Sequence, residues 1–224
     1  ALDWYDAPDP RPDYYRNLPS YFYNPNSDYD RNNELKAAWA KEAWLSNMNS
    51  TCHLNWDRLY NVNYNNGVEQ ADGSILRRSK YAVEERRVDQ NDVNVAANVK
   101  WTANNLFTLT GGANFKWNRT EYYKKLDDLL GGDYYLNIDQ FAERDFASSP
   151  TMIQNDLDYF LANGEAQQIA RGGKYGYDYY AHIRNAGIWA NGTFTYGGLT
   201  ANIALEAGYT GFWREGLLRK GLFA

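Results

Sequence analysis

Four stretches of the chain alternate strictly between apolar and polar side chains, and that two-residue period confines each to a β-strand with one apolar and one wet face. From 93 to 101 the odd positions are Val93, Val95, Ala97, Val99 and Trp101, while Asp92, Asn94, Ala96, Asn98 and Lys100 interleave with them. The turn-forming run from Thr102 to Asn105 ends the pattern. It resumes with Phe107, Leu109, Gly111, Ala113, Phe115 and Trp117 on one face, and Thr108, Thr110, Gly112, Asn114, Lys116 and Asn118 on the other. These two strands form a first hairpin. In a second, Ile188, Ala190, Gly192, Phe194 and Tyr196 share a face, and Leu199, Ala201, Ile203, Leu205, Ala207 and Tyr209 return along it. Between them Gly197-Gly198 is a two-residue hairpin turn, since glycine reaches positive φ without a steric penalty.

The strands are long, and aromatic residues frame their apolar faces. Trp101, Phe107 and Tyr196 stand beside the turns, with Trp117 and Tyr209 at the far ends. A strand crossing a bilayer needs about 9–11 residues, and two aromatic girdles are the mark of an outer-membrane barrel. The opposite face is rich in Asn, Thr and Gly, as suits a wet lumen. A soluble antiparallel sheet with one solvated face is the alternative; the length of the strands and their aromatic frame favour the membrane. The expected fold is therefore all-β. About four long antiparallel strands, in two hairpins, form part of a transmembrane β-barrel whose long extracellular loops carry short helices.

Composition permits this. A net charge of -5 argues against a broad nucleic-acid surface. The 20 tyrosines suit an interface belt or a binding surface, because a phenol is apolar at one end and polar at the other. The mean hydropathy of -0.73 is no objection, because only alternate residues of a barrel strand face lipid. No apolar run is long enough for a transmembrane helix. The single cysteine, Cys52, forms no internal disulfide. No export signal opens the sequence, so the expectation is a fragment of a longer exported chain.

The connections are unequal: two are tight, whereas 1–80 and 124–177 are long. Barrels of the outer membrane show this asymmetry, with short periplasmic turns and long extracellular loops. The resulting plan has an extracellular loop region at 1–80, a hairpin at 81–123, a loop at 124–177, a hairpin at 178–214 and the start of a further loop at 215–224, all within one barrel domain. Strands run over 81–101, 106–123, 178–196 and 199–214. Within the loops, a short helix is expected from Asn33, as its cap, to Leu45. A second is expected over Leu126–Leu130, ended by Gly131-Gly132.

Several motifs, in order, resemble the central barrel region of TonB-dependent outer-membrane receptors of the Bacteroidota type. They are Asn55-Trp56-Asp57-Arg58-Leu59-Tyr60, Glu85-Arg86-Arg87-Val88-Asp89-Gln90-Asn91-Asp92, Leu109-Thr110-Gly111-Gly112, Asn118-Arg119-Thr120-Glu121-Tyr122-Tyr123-Lys124, Leu129-Leu130-Gly131-Gly132-Asp133-Tyr134-Tyr135 and Lys174-Tyr175-Gly176-Tyr177-Asp178-Tyr179-Tyr180. The resemblance covers nearly the whole chain. It implies a barrel of about 22 strands with a plugged lumen. It also implies uptake of a scarce solute (a siderophore, cobalamin, glycan or peptide) driven by the inner-membrane TonB complex acting on a plug that this sequence does not contain. The implied partners are outer-membrane lipid, that complex, the solute and a surface-exposed lipoprotein. The implied location is the bacterial outer membrane.

Candidate chemistry is sparse, and an enzyme is not expected. Cys52 and His53 are adjacent, so on an extended chain their side chains diverge, and a metal site needs three or four converging ligands. The acids Asp127, Asp128, Asp133, Asp139, Glu143 and Asp145 match neither the pairing of a glycosidase nor the spacing of a calcium loop. They read as a solvated loop. No cofactor, metal or catalytic residue is assigned. The candidate ligand contacts are Trp56, Asp57, Asp133, Tyr134 and Tyr135, with packing within the loops as their alternative role. Trp189, Glu206 and Arg214 are candidates to face the lumen or plug. Two other functions compete: a soluble carbohydrate-binding β-sandwich, which would bury one face of each sheet, and a passive porin without a plug.

Overall fold

The computed structural model describes residues 1–23 and 34–224. In chain order the elements are β1 (Leu2–Trp4), α1 (Pro19–Phe22), α2 (Glu34–Leu45), α3 (Asn49–Cys52), α4 (Trp56–Tyr64), β2 (Gly67–Glu69), β3 (Ile75–Arg77), β4 (Tyr81–Asn104), β5 (Phe107–Asp128), β6 (Tyr135–Leu136), α5 (Gln140–Phe146), α6 (Leu157–Asn163), β7 (Gln168–Ile169), β8 (Lys174–Tyr196) and β9 (Leu199–Gly216). The protein is mostly antiparallel β. Its large sheet has the strand order β1-β4-β5-β8-β9, and two two-stranded sheets pair β2 with β3 and β6 with β7. No described helix is long and apolar enough to cross a membrane. The chain divides into two compact units.

The first unit comprises Ala1–Glu84, Leu126–Phe141 and Gln167–Gly173. Its core gathers Leu59, Tyr81 and Leu130, with Leu2, Trp4, Ala7, Val62 and Val83 against them. Helix α4 starts where the Asn55 side chain accepts the Arg58 amide, which satisfies one of the N–H groups that a helix start leaves open. Helix α2 matches the expectation to Leu45, but its expected cap, Asn33, lies outside the described residues. Its buried face is Ala37, Ala40 and Ala43, while Leu35, Trp39 and Leu45 are exposed. Alanine lets neighbouring backbone come close, and of the two tryptophans of this helix Trp44 is partly buried while Trp39 stays exposed.

The helix expected over Leu126–Leu130 does not form. Leu126 is hydrogen-bonded at both backbone groups to Gly172 and Gly173, and β5 continues to Asp128. Leu130 then adopts φ +48° and Gly131 φ +87°, reversing the chain while the Asp128 carboxylate accepts the Leu130 amide. The sequence offered apolar residues at helix-compatible spacing; cross-strand pairing outcompeted them.

The second unit comprises Glu85–Lys125, Ala142–Ala166 and Lys174–Ala224. The four long strands run to 24, 22, 23 and 18 residues, several times the usual five or six. They start and end within a few residues of the expected positions. The first tight turn is Asn105-Leu106, shorter than the expected run from Thr102, because Asn104 ends β4 with its own side chain accepting the Leu106 and Phe107 amides. The second turn is Gly197-Gly198, as expected, with φ of +54° and +85°. Positive φ at both central residues suits the right-handed twist of the flanking strands.

Register fixes the faces. Phe107 pairs with Phe194, Leu109 with Gly192, Ala113 with Ile188 and Trp117 with Arg184. Phe194 in turn pairs with Ala201, Gly192 with Ile203, Ala190 with Leu205 and Ala186 with Tyr209. Directly paired residues point to the same side, so one continuous apolar face crosses β5, β8 and β9. Trp101 joins it from β4, its ring 6.5 Å from Phe107. This face is not buried: Val95 is 59% exposed, Ile188 62% and Ile203 73%, and Leu109 is half-buried.

Candidate functional site

The two faces of the long sheet carry different chemistry. On the polar face, Thr110 pairs with Asn191, Asn114 with Gly187 and Lys116 with Asn185. Thr193 donates to Asn202 Oδ1 at 2.7 Å, and Lys116 lies 3.7 Å from Asp92. The residues expected to face a lumen all lie here. Trp189 pairs directly with Glu206. Its indole covers Gly112, where an added Cβ would lie 2.6 Å from Trp189 Nε1 and would also meet Asn98. Arg214 sits 3.9 Å over the Tyr179 ring, which stacks on Tyr122 at 5.1 Å.

The apolar face ends in an aromatic and cationic belt. Above Phe107, Leu109, Ala113 and Phe115 on β5 come Trp117 and then Arg119. The matching positions of β8 are Arg184 and His182, and Trp213 lies beside His182 on β9. The Arg184 guanidinium lies 5.0 Å from the Trp117 ring and 5.1 Å from the Trp213 ring. Arg119 lies 6.0 Å from Trp117 and 4.8 Å from Tyr180. The His182 ring is stacked on Trp213 at 4.9 Å, and its Nε2 is 3.0 Å from Glu215. Sequence reasoning placed Arg119 only within a resemblance motif, with no role of its own, and did not single out Arg184 or Trp213. The signal was present, because continuing the odd face of β5 past Trp117 gives Arg119, and continuing the even face of β8 back from Ile188 gives Arg184 and His182.

The loop candidates fall into three environments, all in the first unit. Trp56 and Asp57 are exposed at the start of α4. Asp57 borders two open clefts. One, of about 770 Å³, is lined by Asn55, Arg58, Asn61, Asn65 and Asn66; the other, of about 1020 Å³, by Trp56, His53 and Asn49. Asp133 is tied to Arg77 by a two-point ion pair, Nη2 to Oδ1 at 2.8 Å and Nε to Oδ2 at 3.0 Å, and it also accepts the Arg77 amide. Those bonds hold its carboxyl at about 2, well below the usual carboxylate value. Tyr134 and Tyr135 are buried, at 6% and 4% exposure. Burial, with the acids Asp3 and Glu84 near it, pushes the Tyr135 phenol far above its ordinary value. The structure does not bring these five residues together at one surface. Tyr134 and Tyr135 fill the interior, and Asp133 is occupied by Arg77.

Among the described residues no group of three His, Cys, Asp or Glu side chains converges as a metal site would require. His53 is exposed in the α3–α4 connection, and His182 lies in the sheet. No protein-family model matches the chain, and no curated protein matches it.

Proposed function

We propose that this chain is a section of the wall of a bacterial outer-membrane β-barrel, of the TonB-dependent receptor kind, that takes up a scarce solute. The observation that carries the wall reading is the exposed apolar face through Val95, Ile188, Ile203 and Leu205. Soluble monomers scatter exposed apolar side chains singly and rarely expose a large contiguous patch. Here the patch is continuous over three paired strands and bounded by aromatics at both ends.

Its height is also right. Phe107 to Trp117 on β5 is ten residue steps, about 33 Å along a strand at 3.3 Å per residue. Tilted about 45°, that spans about 23 Å, close to the roughly 25 Å apolar band of outer-membrane barrels. A β-sandwich would need a second sheet over this face, and the exposure of Ile188 and Ile203 argues against one. The receptor identity, solute uptake and TonB coupling rest on the sequence motifs alone.

The test is a pair of neighbouring substitutions in the full-length protein. Ile203→Arg on the apolar face should lower folding stability in bilayers by about 2–4 kcal/mol, whereas Asn202→Arg on the opposite face should change it little. Equal tolerance of the two would refute the wall reading. Radiolabelled-solute uptake with and without a proton gradient tests the transport assignment separately.

A further inference from the structure

We infer that Arg119 and Arg184 hold the phosphate of an anionic lipid headgroup at the rim of the apolar band. The inference rests on the wall reading, since it requires this face to meet lipid. Trp117 pairs with Arg184 and Arg119 with His182, so the two arginines are diagonal neighbours on one face, about 7–8 Å apart at the backbone. Both guanidinium groups lie over the same indole, that of Trp117. Two like charges gathered so closely repel unless an anion sits with them.

The carboxylates of the same face do not serve. Glu121 and Asp178 both bond the Lys174 ammonium, and Glu215 Oε2 lies 3.0 Å from His182 Nε2, so none of the three is bonded to either arginine. Neither arginine has a carboxylate partner among the described residues. Arg119 Nε is buried with no hydrogen-bond partner, and so is His182 Nδ1 beside it. Arg184 spends one Nη on the backbone carbonyls of Asn118 and Ile183 at 3.3 and 3.2 Å. The aromatic rings fix both planar forks against the sheet, and a planar fork matches two phosphate oxygens at once. Position supplies the rest of the argument. Arg184 stands level with Trp117 at the end of the apolar band and Arg119 one same-face position beyond it, where a lipid whose tails lie against Phe115 and Ile188 would carry its phosphate.

The experiment uses the full-length protein in detergent, titrated with diphosphoryl lipid A and followed by native mass spectrometry. The R119Q/R184Q variant should bind diphosphoryl lipid A at least about tenfold more weakly than wild type, the loss expected for charge-assisted hydrogen bonds. Dephosphorylated lipid A should bind both proteins equally. If the double variant does not fold, R119K/R184K keeps the charge, loses the fork, and should show a smaller loss in the same direction. Unchanged binding of diphosphoryl lipid A in the variant that folds overturns the proposal. So does full displacement of the lipid by millimolar inorganic phosphate, which would mark a free-anion site. If Ile203→Arg blocks bilayer folding while R119Q/R184Q still binds the lipid like wild type, this inference fails and the wall reading stands. If Ile203→Arg is tolerated, both fail.

Discussion

Replacing Asn63 should unfasten the first unit locally. Its side chain is fully buried and makes five hydrogen bonds to backbone. The two N–H groups of Nδ2 donate to the carbonyls of Tyr81, Leu129 and Leu130 at 2.7, 2.9 and 3.1 Å, one of them shared between two acceptors. Oδ1 accepts the amides of Lys80 and Tyr81 at 2.8 and 3.1 Å. On the other side of β4, Tyr5 and Lys80 are bonded, as are Ala1 and Glu84, so that alternation directs the Tyr81 N–H and C=O away from β1. The Asn63 amide thus stands in for the peptide of a missing neighbouring strand. In Asn63→Ala the Leu129 carbonyl keeps the Ser79 hydroxyl. The Lys80 and Tyr81 amides and the Tyr81 and Leu130 carbonyls lose this partner. A buried group left unsatisfied costs about 1–3 kcal/mol. If water recovers about half of the four, the loss is still roughly 3 kcal/mol, about a hundredfold in the local opening equilibrium. Asn63→Asp should be at least as damaging, since it sets a carboxylate oxygen against three carbonyls. Hydrogen exchange with mass spectrometry reads this directly, as faster exchange in peptides covering 79–83 and 126–132. Less than a tenfold change there in Asn63→Ala would refute the account, and so would an Asn63→Asp protein as protected as wild type.

Three further outcomes follow from particular residues. Asp133 should titrate near 2, and Arg77→Gln should return it toward 3.8, as followed by carboxyl NMR; a wild-type midpoint near 3.8 would contradict the ion pair. Because the folded value is depressed, the stabilisation is complete above about pH 4 and is lost as pH falls through about 2, and for so exposed a pair it amounts to about 1 kcal/mol or less. Gly112→Val should push Trp189 off the sheet and cost about 1–3 kcal/mol through overpacking, visible as a shift in Trp fluorescence and lower resistance to denaturant; a neutral result would mean the indole does not rest there. Gly198→Val forces a β-branched residue to φ +85° and should slow refolding and destabilise the second hairpin, whereas Gly198→Asn should be far milder.

The long strands were legible because their information is local. Each strand announces its faces by parity, and parity survives any uncertainty about its ends. Ile188 and Ile203 were assignable to one face before their strands were known to pair. What parity does not supply is where the turn closes. Asn104 looked like turn material and instead ends the strand, its side chain bonding the two amides beyond. The first unit was far less legible, because its order comes from contacts distant in sequence. Asn63 meets Leu129 and Leu130 across 66 and 67 residues, and Arg77 meets Asp133 across 56. Nothing within a local window marks Asn63 out from Asn61, Asn65 or Asn66. The same difficulty affected the loop candidates. An aromatic in a long connection has equal reason to face a ligand or to fill an interior, and the tyrosines at 134 and 135 fill one.

The open edges of the sheet bear most directly on the wall reading. Among the described residues strand β9 pairs with β8 alone, and beyond its short pairing with β1, strand β4 is bonded on one side only. Along such an edge, alternate residues point their N–H and C=O outward. In water those groups are solvated and an edge is tolerable, though it invites aggregation. In hydrocarbon each costs several kcal/mol, so no open edge survives there. An apolar face that belongs in lipid therefore demands a strand beside Leu199–Gly216 and another beside the membrane-spanning part of β4. Cross-linking of cysteines placed at paired positions on those edges would detect the neighbours, within the full-length protein. Edges that remain accessible to water-soluble reagents along their whole length in the assembled membrane would leave the exposed apolar face without a solvent, and the wall reading would fall with it.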